Sequence, residues 1–537
     1  MTNLKRISKN SPTQPAVGTA GMVSSAHPIA TQAGLDILVA GGNAFDAAVA
    51  TAATLNVVEP MNSGMGGYGT ILLYDARSGE TWFLNSSGRI PAAVDSDAFR
   101  PPTPAYLGNR RGAKAVSTPG NLNAWAAMSK RYGKLEWQQL FRPAIRAAEE
   151  GFMITDTAAH HIRSEFKLFA DHAKRIYGRD GAPLQTGERL VQQDLAKSLQ
   201  LVAEQGVQAF YKGELGEAID AAMREAGGFL SIDDLCRNRA GWWEPISIDW
   251  QDCKIITASP PANSFDMLVR LGMMSQFDLG ELGHNSAAYL HRYAEVTKHG
   301  FWVRLRYAAD PEVEQPPLEM LLSRDYWAAQ AAVIDHRRAR PFEPPQATEP
   351  GGHTTHFVVA DRWGNVVSAT QTIGGFFGSK IMPPGTGIWL NNSLQYCTFE
   401  PKGNPMDAFP GRHKLSGDCP TLITRNGRPW IAIGTPGGHT IGQTVPQMVL
   451  NLLHFEMDIQ QAIAAGRISF IEPDVIAVED GIPESVRQEM AAMGHNIRVG
   501  DKLGNAHGLT IEYDSAGTPC RFTGGADPRS EGAAMGY

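Results

Sequence analysis

The chain of 537 residues is 43% hydrophobic and 19% charged, which places it among folded globular proteins and away from disordered ones. Its net charge of −7, with no basic stripe or arginine-rich arm, argues against nucleic acid as the main partner. No run approaches the ~18 consecutive apolar residues of a membrane span, the first 28 residues show no leader-like apolar segment, and the five cysteines are scattered without a C-x-x-C pair. These features lead to the expectation of a soluble, cytoplasmic protein without membrane, metal or cofactor partners, built as two to four domains or one large α/β unit.

Residues 16–90 carry an α/β pattern. Apolar residues at helical spacing over 30–39 stop at Gly41-Gly42-Asn43, residue types that tolerate a left-handed turn. Residues 44–58 predict a second helix, small and apolar on most faces and therefore buried. The cluster Gly64-Met65-Gly66-Gly67 then precedes a strand at 70–74, with 81–84 as its hairpin partner. A phosphate-binding glycine loop has the opposite order, strand before helix, so this cluster is read as close backbone packing.

Helical patterns follow at 122–132, 137–150, 155–169, 195–204 and 214–225, with Asp194 and Ser231 at expected N-cap positions. Residues 250–258 predict a strand and 287–307 a long helix. Residues 340–353, with four prolines and two glycines, read as an exposed linker. Beyond it the texture changes to strand pairs, at 354–360 with 366–373 and at 421–425 with 430–434. Helices near 444–455, from 459 and at 483–493 precede closing strands at 509–513 and 520–523.

The boundary between linker and strands is Gly351-Gly352-His353-Thr354-Thr355-His356. A threonine hydroxyl is a poor nucleophile and needs a base within reach. An α-amino group, with a pKa of roughly 7.7–8.0, suits that role if it belongs to the same residue. Exposing it requires a cut between His353 and Thr354, which the Thr354 hydroxyl can make by attacking the preceding carbonyl to give an ester that water cleaves. Gly351 and Gly352 permit strained angles before that bond, and the β-branched Thr354 starts a strand that holds it. Taken alone, Thr-Thr-His also fits an ordinary strand start.

Further motifs occur in a fixed order. They are Gly41-Gly42-Asn43-Ala44-Phe45-Asp46, Gly64-Met65-Gly66-Gly67, Ser117-Thr118-Pro119-Gly120, Thr354-Thr355-His356, Asp361-Arg362-Trp363-Gly364-Asn365, Leu390-Asn391-Asn392, Gly434-Thr435-Pro436-Gly437-Gly438 and Ala526-Asp527-Pro528-Arg529. Over about 20–537 this series resembles the γ-glutamyltransferase (glutathione hydrolase) family of N-terminal nucleophile hydrolases. The resemblance implies an α+β fold, an αββα four-layer sandwich of two antiparallel sheets, with an extra helical subregion at about 120–340. It implies a large subunit, 1–353, and a small subunit, 354–537, remaining together as one intertwined unit after cleavage, with a dimer of such heterodimers as a further possibility. By position, Thr354 resembles the processing and catalytic nucleophile, with His353 before the cut. Thr372 resembles its orienting hydroxyl, and Gly437 and Gly438 the oxyanion-hole amides.

The resemblance breaks at the polar set with which the family holds a glutamate α-amino and α-carboxylate. The asparagine, glutamine, aspartate and serine pair of that set correspond to Gly374, Ser393, Tyr396 and Ser416-Gly417, and its arginine falls near Ser96, with Arg89 and Arg100 close by. Losing a charge partner in a partly buried site costs roughly 2–5 kcal/mol. The expected substrate is therefore an amide of a small carboxylated acyl group, oxamate-like or a dicarboxylic monoamide, with water as acceptor. Arg89, His413 and Lys414 are candidates for its carboxylate. The alternatives are a conventional γ-glutamyl hydrolase or transferase, and an inactive homologue kept for binding. His27, His356 and His439 lack ligand spacing and are read as structural.

Overall fold

The computed structural model describes residues 7–100, 106–342, 353–500 and 502–537. The expected linker at 340–353 falls mostly outside them. Two antiparallel sheets form the centre. The first has eight strands in the order Ser8–Lys9, Ala533–Gly536, Gly21–Ser25, His353–Asp361, Val366–Gly374, Tyr68–Asp75, Glu80–Ser86 and Gly241–Trp243. The second has seven, in the order Ile246–Trp250, Cys253–Thr257, Thr421–Arg425, Arg428–Gly434, His507–Tyr513, Pro519–Ala526 and Ala16–Gly18.

Strand alternation explains the layering. On His353–Asp361, Val358 and Ala360 point between the sheets, where they pack with Leu422, Ala432, Leu509 and Phe522. Phe357 and Val359 point the other way, into a core shared with Leu35, Leu38, Phe45 and Val49 of the helices Pro28–Val39 and Ala44–Val58. A strand buried on both faces reads as one continuous apolar run, and burying each such side chain contributes roughly 1.5–3 kcal/mol. The outer face of the second sheet, through Ile423 and Ile433, carries the helices Phe265–Met274, Ala287–Tyr307 and Ile441–Leu453. The result is the expected four-layer αββα arrangement.

Local chemistry sets the inner helices. Asn43 and Asp46 form a capping box at the start of Ala44–Val58, and the Asp46 carboxylate also accepts N–H bonds from Lys134 and Leu135. The small residues of this helix admit close approach: a Cβ on Gly34 would lie 2.2 Å from Thr51 Oγ1. The glycine cluster behaves as expected. A Cβ on Gly66 would lie 2.1 Å from the Trp389 carbonyl oxygen, and one on Gly67 2.2 Å from that of Thr372. Both obstacles are backbone, so Gly66→Ala is expected to leave little soluble folded protein, checked by expression yield and thermal melting.

Several expectations shift in detail. Asp194 lies in the first turn of Gln193–Gln205 and Gln192 is the cap residue, whereas Ser231 does cap Ile232–Arg237, in a capping box with Asp234. The strand read at 250–258 is a hairpin, Ile246–Trp250 with Cys253–Thr257, turning at Gln251 with φ +51°. The helical region at 120–340 is divided by this hairpin and by Gly241–Trp243. Its earlier helices join the core beneath the first sheet and its later ones the core beneath the second. Both sheets combine strands from 1–353 with strands from 354–537, so a cut before Thr354 leaves the two pieces interleaved.

Candidate active site

Thr354 lies at the start of its strand, where the ladder slips. His353 pairs with Gly374 but Thr355 pairs with Gln371, so Thr372 and Ile373 on the partner strand oppose Thr354 alone. Such a bulge re-aims side chains at a strand end. Thr354 is buried yet contributes to the wall of a cavity of about 820 Å³, shared with Glu59, Asn62, Phe376, Gly437 and Thr440. Thr372, also buried, accepts the Gly374 N–H at 2.8 Å.

The turn at Gly437-Gly438 enters the site from the second sheet. It follows the strand Arg428–Gly434, which approaches Thr354's strand so closely that a Cβ on Gly434 would lie 2.3 Å from the His356 ring. Gly437 and Gly438 have φ +139° and +58°, and a Cβ on Gly437 would lie 2.4 Å from Thr440 Oγ1. Only glycine fits there. The Gly437 carbonyl accepts from Thr440 N–H and Oγ1 at 3.1 and 3.0 Å, which fixes the turn.

The histidines hold structure. His27 caps the helix Pro28–Val39, accepting from Ile29 N–H at 3.2 Å. His356 is fully buried with Nδ1 2.9 Å from Thr370 Oγ1, and burial keeps its pKa well below the usual value. His439 is held likewise by burial and by Arg304. Asn391 ties three motifs together: its Oδ1 accepts from Ser117 N–H and Oγ, and its amide donates to the Gly66 and Ser117 carbonyls.

The positions of the altered clamp are occupied in ways the sequence does not show. A Cβ on Gly374, at φ +96°, would lie 2.0 Å from Asn392 Oδ1, which accepts the Gly375 N–H at 2.8 Å. The space of the missing side chain is filled. Ser393 Oγ donates to Ser117 Oγ. Gly417 abuts the Gly437-Gly438 turn, where a Cβ would meet the Gly438 oxygen at 3.1 Å. The Tyr396 phenol lies beside that of Tyr68, and burial pushes both pKa values up. Tyr68 is itself the register partner of Thr372.

Between these tyrosines sits Lys414, 1% exposed, with Nζ 3.1 Å from the Tyr68 ring centroid and donating to the Leu415 carbonyl at 3.1 Å. Burial pulls its pKa down to about 7, against the opposing pull of Asp418. Asp418, buried and accepting from Thr70 Oγ1 at 3.1 Å, has its pKa raised by burial. Tyr68, Asp418 and Glu59 are features that sequence reasoning missed, and Asn392, quoted there within a motif, was given no role. The available signals were a carboxylate closing an apolar helix at Glu59 and one directly after Ser416-Gly417 at Asp418.

The remaining candidates lie elsewhere. Arg89 makes two 3.0 Å bonds to Glu312 and one to the Gly411 carbonyl, with its side chain 43% exposed. His413 lies between Asp310 and Glu312 at 3.4 and 3.6 Å. Arg100 binds Asp407, Asp97 and the Ser96 hydroxyl. None of these three side chains is among those lining the cavity at Thr354. Two groups of described residues, His291 with Glu295 and His495, and Asp310 with Glu312 and His413, have the spacing of cation ligands. In each a side-chain cation already sits on a carboxylate, Lys298 at 3.4 Å from Glu295 and Arg412 at 3.0 Å from Glu312.

A family model described as Gamma-glutamyltranspeptidase matches residues 30–537. The chain belongs to the gamma-glutamyltranspeptidase family. Relatives within it include a Bacillus subtilis glutathione hydrolase proenzyme, 35% identical over 97% of this chain and 92% of that protein. The acylase ACY 1 proenzyme of a Pseudomonas strain is also 35% identical, over 97% and 94%. Among solved structures, cephalosporin acylase from Bacillus halodurans superposes with a TM-score of 0.89 at 29% identity, covering 100% of this chain and 99% of that one. The chain is thus an enzyme of the gamma-glutamyltranspeptidase family with the N-terminal nucleophile hydrolase fold, and its relatives are made as proenzymes. No helix among its described residues is long and apolar enough to cross a membrane.

Proposed function

We propose that the chain cuts itself between His353 and Thr354, and that the mature pair of subunits hydrolyses an amide of a small carboxylated acyl group. The observation that carries this reading is that Thr354 and Gly437 share one cavity wall while the glutamate clamp is filled in and a buried lysine stands behind Thr372. In turnover, Thr354 Oγ attacks the amide carbonyl and its own α-amine takes the proton. The Gly437 and Gly438 N–H groups receive the developing oxyanion; one such donor is worth about 3 kcal/mol. Thr372 Oγ1 orients the nucleophile. The amine leaves, and water resolves the acyl-enzyme.

Among the three carboxylate candidates, Lys414 lies against the ring of Tyr68, the register partner of Thr372, and this neighbourhood favours a carboxylated acyl group, oxamate-like or a dicarboxylic monoamide. The conventional γ-glutamyl activity of the glutathione hydrolase relatives is the second reading. Asp418 favours it, because it supplies a carboxylate near the position where Tyr396 lacks one. Lys414 opposes it, since an incoming substrate ammonium would meet a second cation. A panel of γ-glutamyl anilide, oxamate and glutaryl amides, assayed on the matured protein, decides between them. Dominant γ-glutamyl turnover would sink the acyl assignment and leave the nucleophile untouched. Absence of turnover on every amide would favour a binding homologue.

A further inference from the structure

The base used in turnover does not exist before cleavage. In the intact chain the Thr354 nitrogen is a peptide amide, with its lone pair delocalised, and cannot accept the Oγ proton. Self-cleavage therefore needs another proton acceptor in the same cavity. We propose that Glu59 is that acceptor, a residue of the processing step rather than of turnover. The inference rests on Thr354 being the processing nucleophile.

Glu59 closes the helix Ala44–Val58 and is 6% exposed, and it shares the cavity wall with Thr354. Its Oε1 accepts from Asn62 Nδ2 at 2.7 Å, whereas its Oε2 has no hydrogen-bond partner among the described residues. A buried carboxylate oxygen left without a donor is costly and calls for an explanation. The Thr355 hydroxyl lies close enough to stabilise the charged carboxylate, yet outside hydrogen-bond geometry, and it too has no partner among the described residues. The segment is held rigidly against Thr354's neighbour strand: the Asn62 carbonyl accepts from Ile373 N–H at 3.0 Å and that of Met61 from Phe377 N–H at 2.9 Å. Burial pushes the Glu59 pKa up to about 7, suited to an acceptor at neutral pH.

The step balances without a co-reactant other than water. The Glu59 carboxylate takes the Thr354 Oγ proton, through one water in the cavity, as the Oγ–C bond to the His353 carbonyl carbon forms. Collapse breaks the C–N bond, and the carboxylic acid returns the proton to the departing Thr354 nitrogen. Water then adds to the ester, giving a proton to Glu59, and the ester C–O bond breaks with Oγ taking it back. The products are the His353 carboxylic acid, which gives its proton to water to become the carboxylate, and the free Thr354 amine.

Other titratable groups around this cavity are Asp156, His160, His161, Arg498, Lys502 and Arg529, with Glu531 also within electrostatic reach of Glu59. Asp156 and His160 are exposed, and His161 stacks on Phe376 at 3.4 Å. The test follows precursor cleavage on gels after cell-free synthesis, from about pH 5.5 to 8.5, for wild type, Glu59→Gln, Glu59→Asp and Thr354→Ala, with thermal melting alongside. Glu59→Gln is expected to slow cleavage at least ~10²-fold and abolish a rise in rate centred near neutrality, with Glu59→Asp recovering part of the rate. Cleavage of Glu59→Gln within a few-fold of wild type, with the same pH profile, would overturn the assignment while sparing Thr354. Cleavage of Thr354→Ala would instead overturn the reading beneath it. Should Glu59→Gln melt at much lower temperature, the wild-type profile decides, and a rate flat through neutrality sinks the proposal.

Discussion

Thr354→Ala is expected to yield a single uncut polypeptide of 58.1 kDa with no measurable amide turnover. In the proposed mechanism one hydroxyl serves both reactions, so one substitution removes both. The loss in turnover should be at least ~10⁴-fold, because residues that act as a chemical unit fail together. Wild-type protein is expected instead to show fragments near 39 and 20 kDa, rough values at ~110 Da per residue. The fold is expected to persist, since alanine deletes two atoms from a side chain at the mouth of a cavity and leaves both sheets intact. Thr354→Ser separates chemistry from positioning. It keeps the nucleophile and loses the methyl group that restricts χ1, so it should cut and turn over more slowly than wild type but well above the alanine variant. Intact mass, terminal sequencing and an amide assay check all three. Active wild-type protein never severed before residue 354 would defeat the mechanism.

The parts of this molecule that sequence reveals are those set by local periodicity. The helix Ala44–Val58, the paired strands around Asp361–Asn365 and the glycine turn at 437–438 each follow from residues within one element or its immediate neighbours. What escapes is set by pairing over distance. Gly21–Ser25 is short and polar at its end, and nothing local marks it as the strand that lies beside Phe357. Ala533–Gly536 is three small residues and a methionine, yet it pairs with the other side of Gly21–Ser25. The clamp region shows the same limit. Arg89 reads as a ready carboxylate partner until Glu312, more than two hundred residues on, is seen to hold it and to have its own pKa drawn down to about 2 by that arginine. Lys414 reads as a carboxylate partner no different from Arg89 until Tyr68 and Tyr396 are seen to enclose it. Glycine at 374 reads as a lost donor, and only the fold shows that Asn392 fills its space.

That enclosed lysine gives the second large effect. Removing Lys414 alone would leave Asp418 buried without its counter-charge, a change that usually costs more than the pair is worth. The informative variant is therefore Lys414→Met with Asp418→Asn. It is expected to fold and process, to lose roughly 30- to 1,000-fold in kcat/KM on carboxylated amides, as a lost buried charge pair of about 2–4 kcal/mol implies, and to act normally on uncharged amides. Loss on both classes alike would show that the pair serves packing and not recognition.

The pH dependence supplies a separate check on the same residue. In the free enzyme Lys414 sheds its proton as pH rises through about 7, so kcat/KM for a carboxylated amide should fall on the alkaline side. The rising limb comes from the Thr354 amine, which must be neutral and titrates near 7.7–8.0. A bound carboxylate favours the ammonium and raises its pKa, so the alkaline fall in kcat should lie at higher pH than that in kcat/KM. The double variant should keep the rising limb and lose the fall. Stability runs in the opposite direction. Below about 7 folded and unfolded chains both hold the Lys414 proton, and the cost of burying the charge is full. Between there and the unfolded value near 10.4 the unfolded chain binds more protons, so rising pH relieves that cost. Recognition therefore weakens over the same pH interval in which the fold gains from losing the charge, as expected of a cation kept in a dry site for a carboxylate that arrives only with substrate.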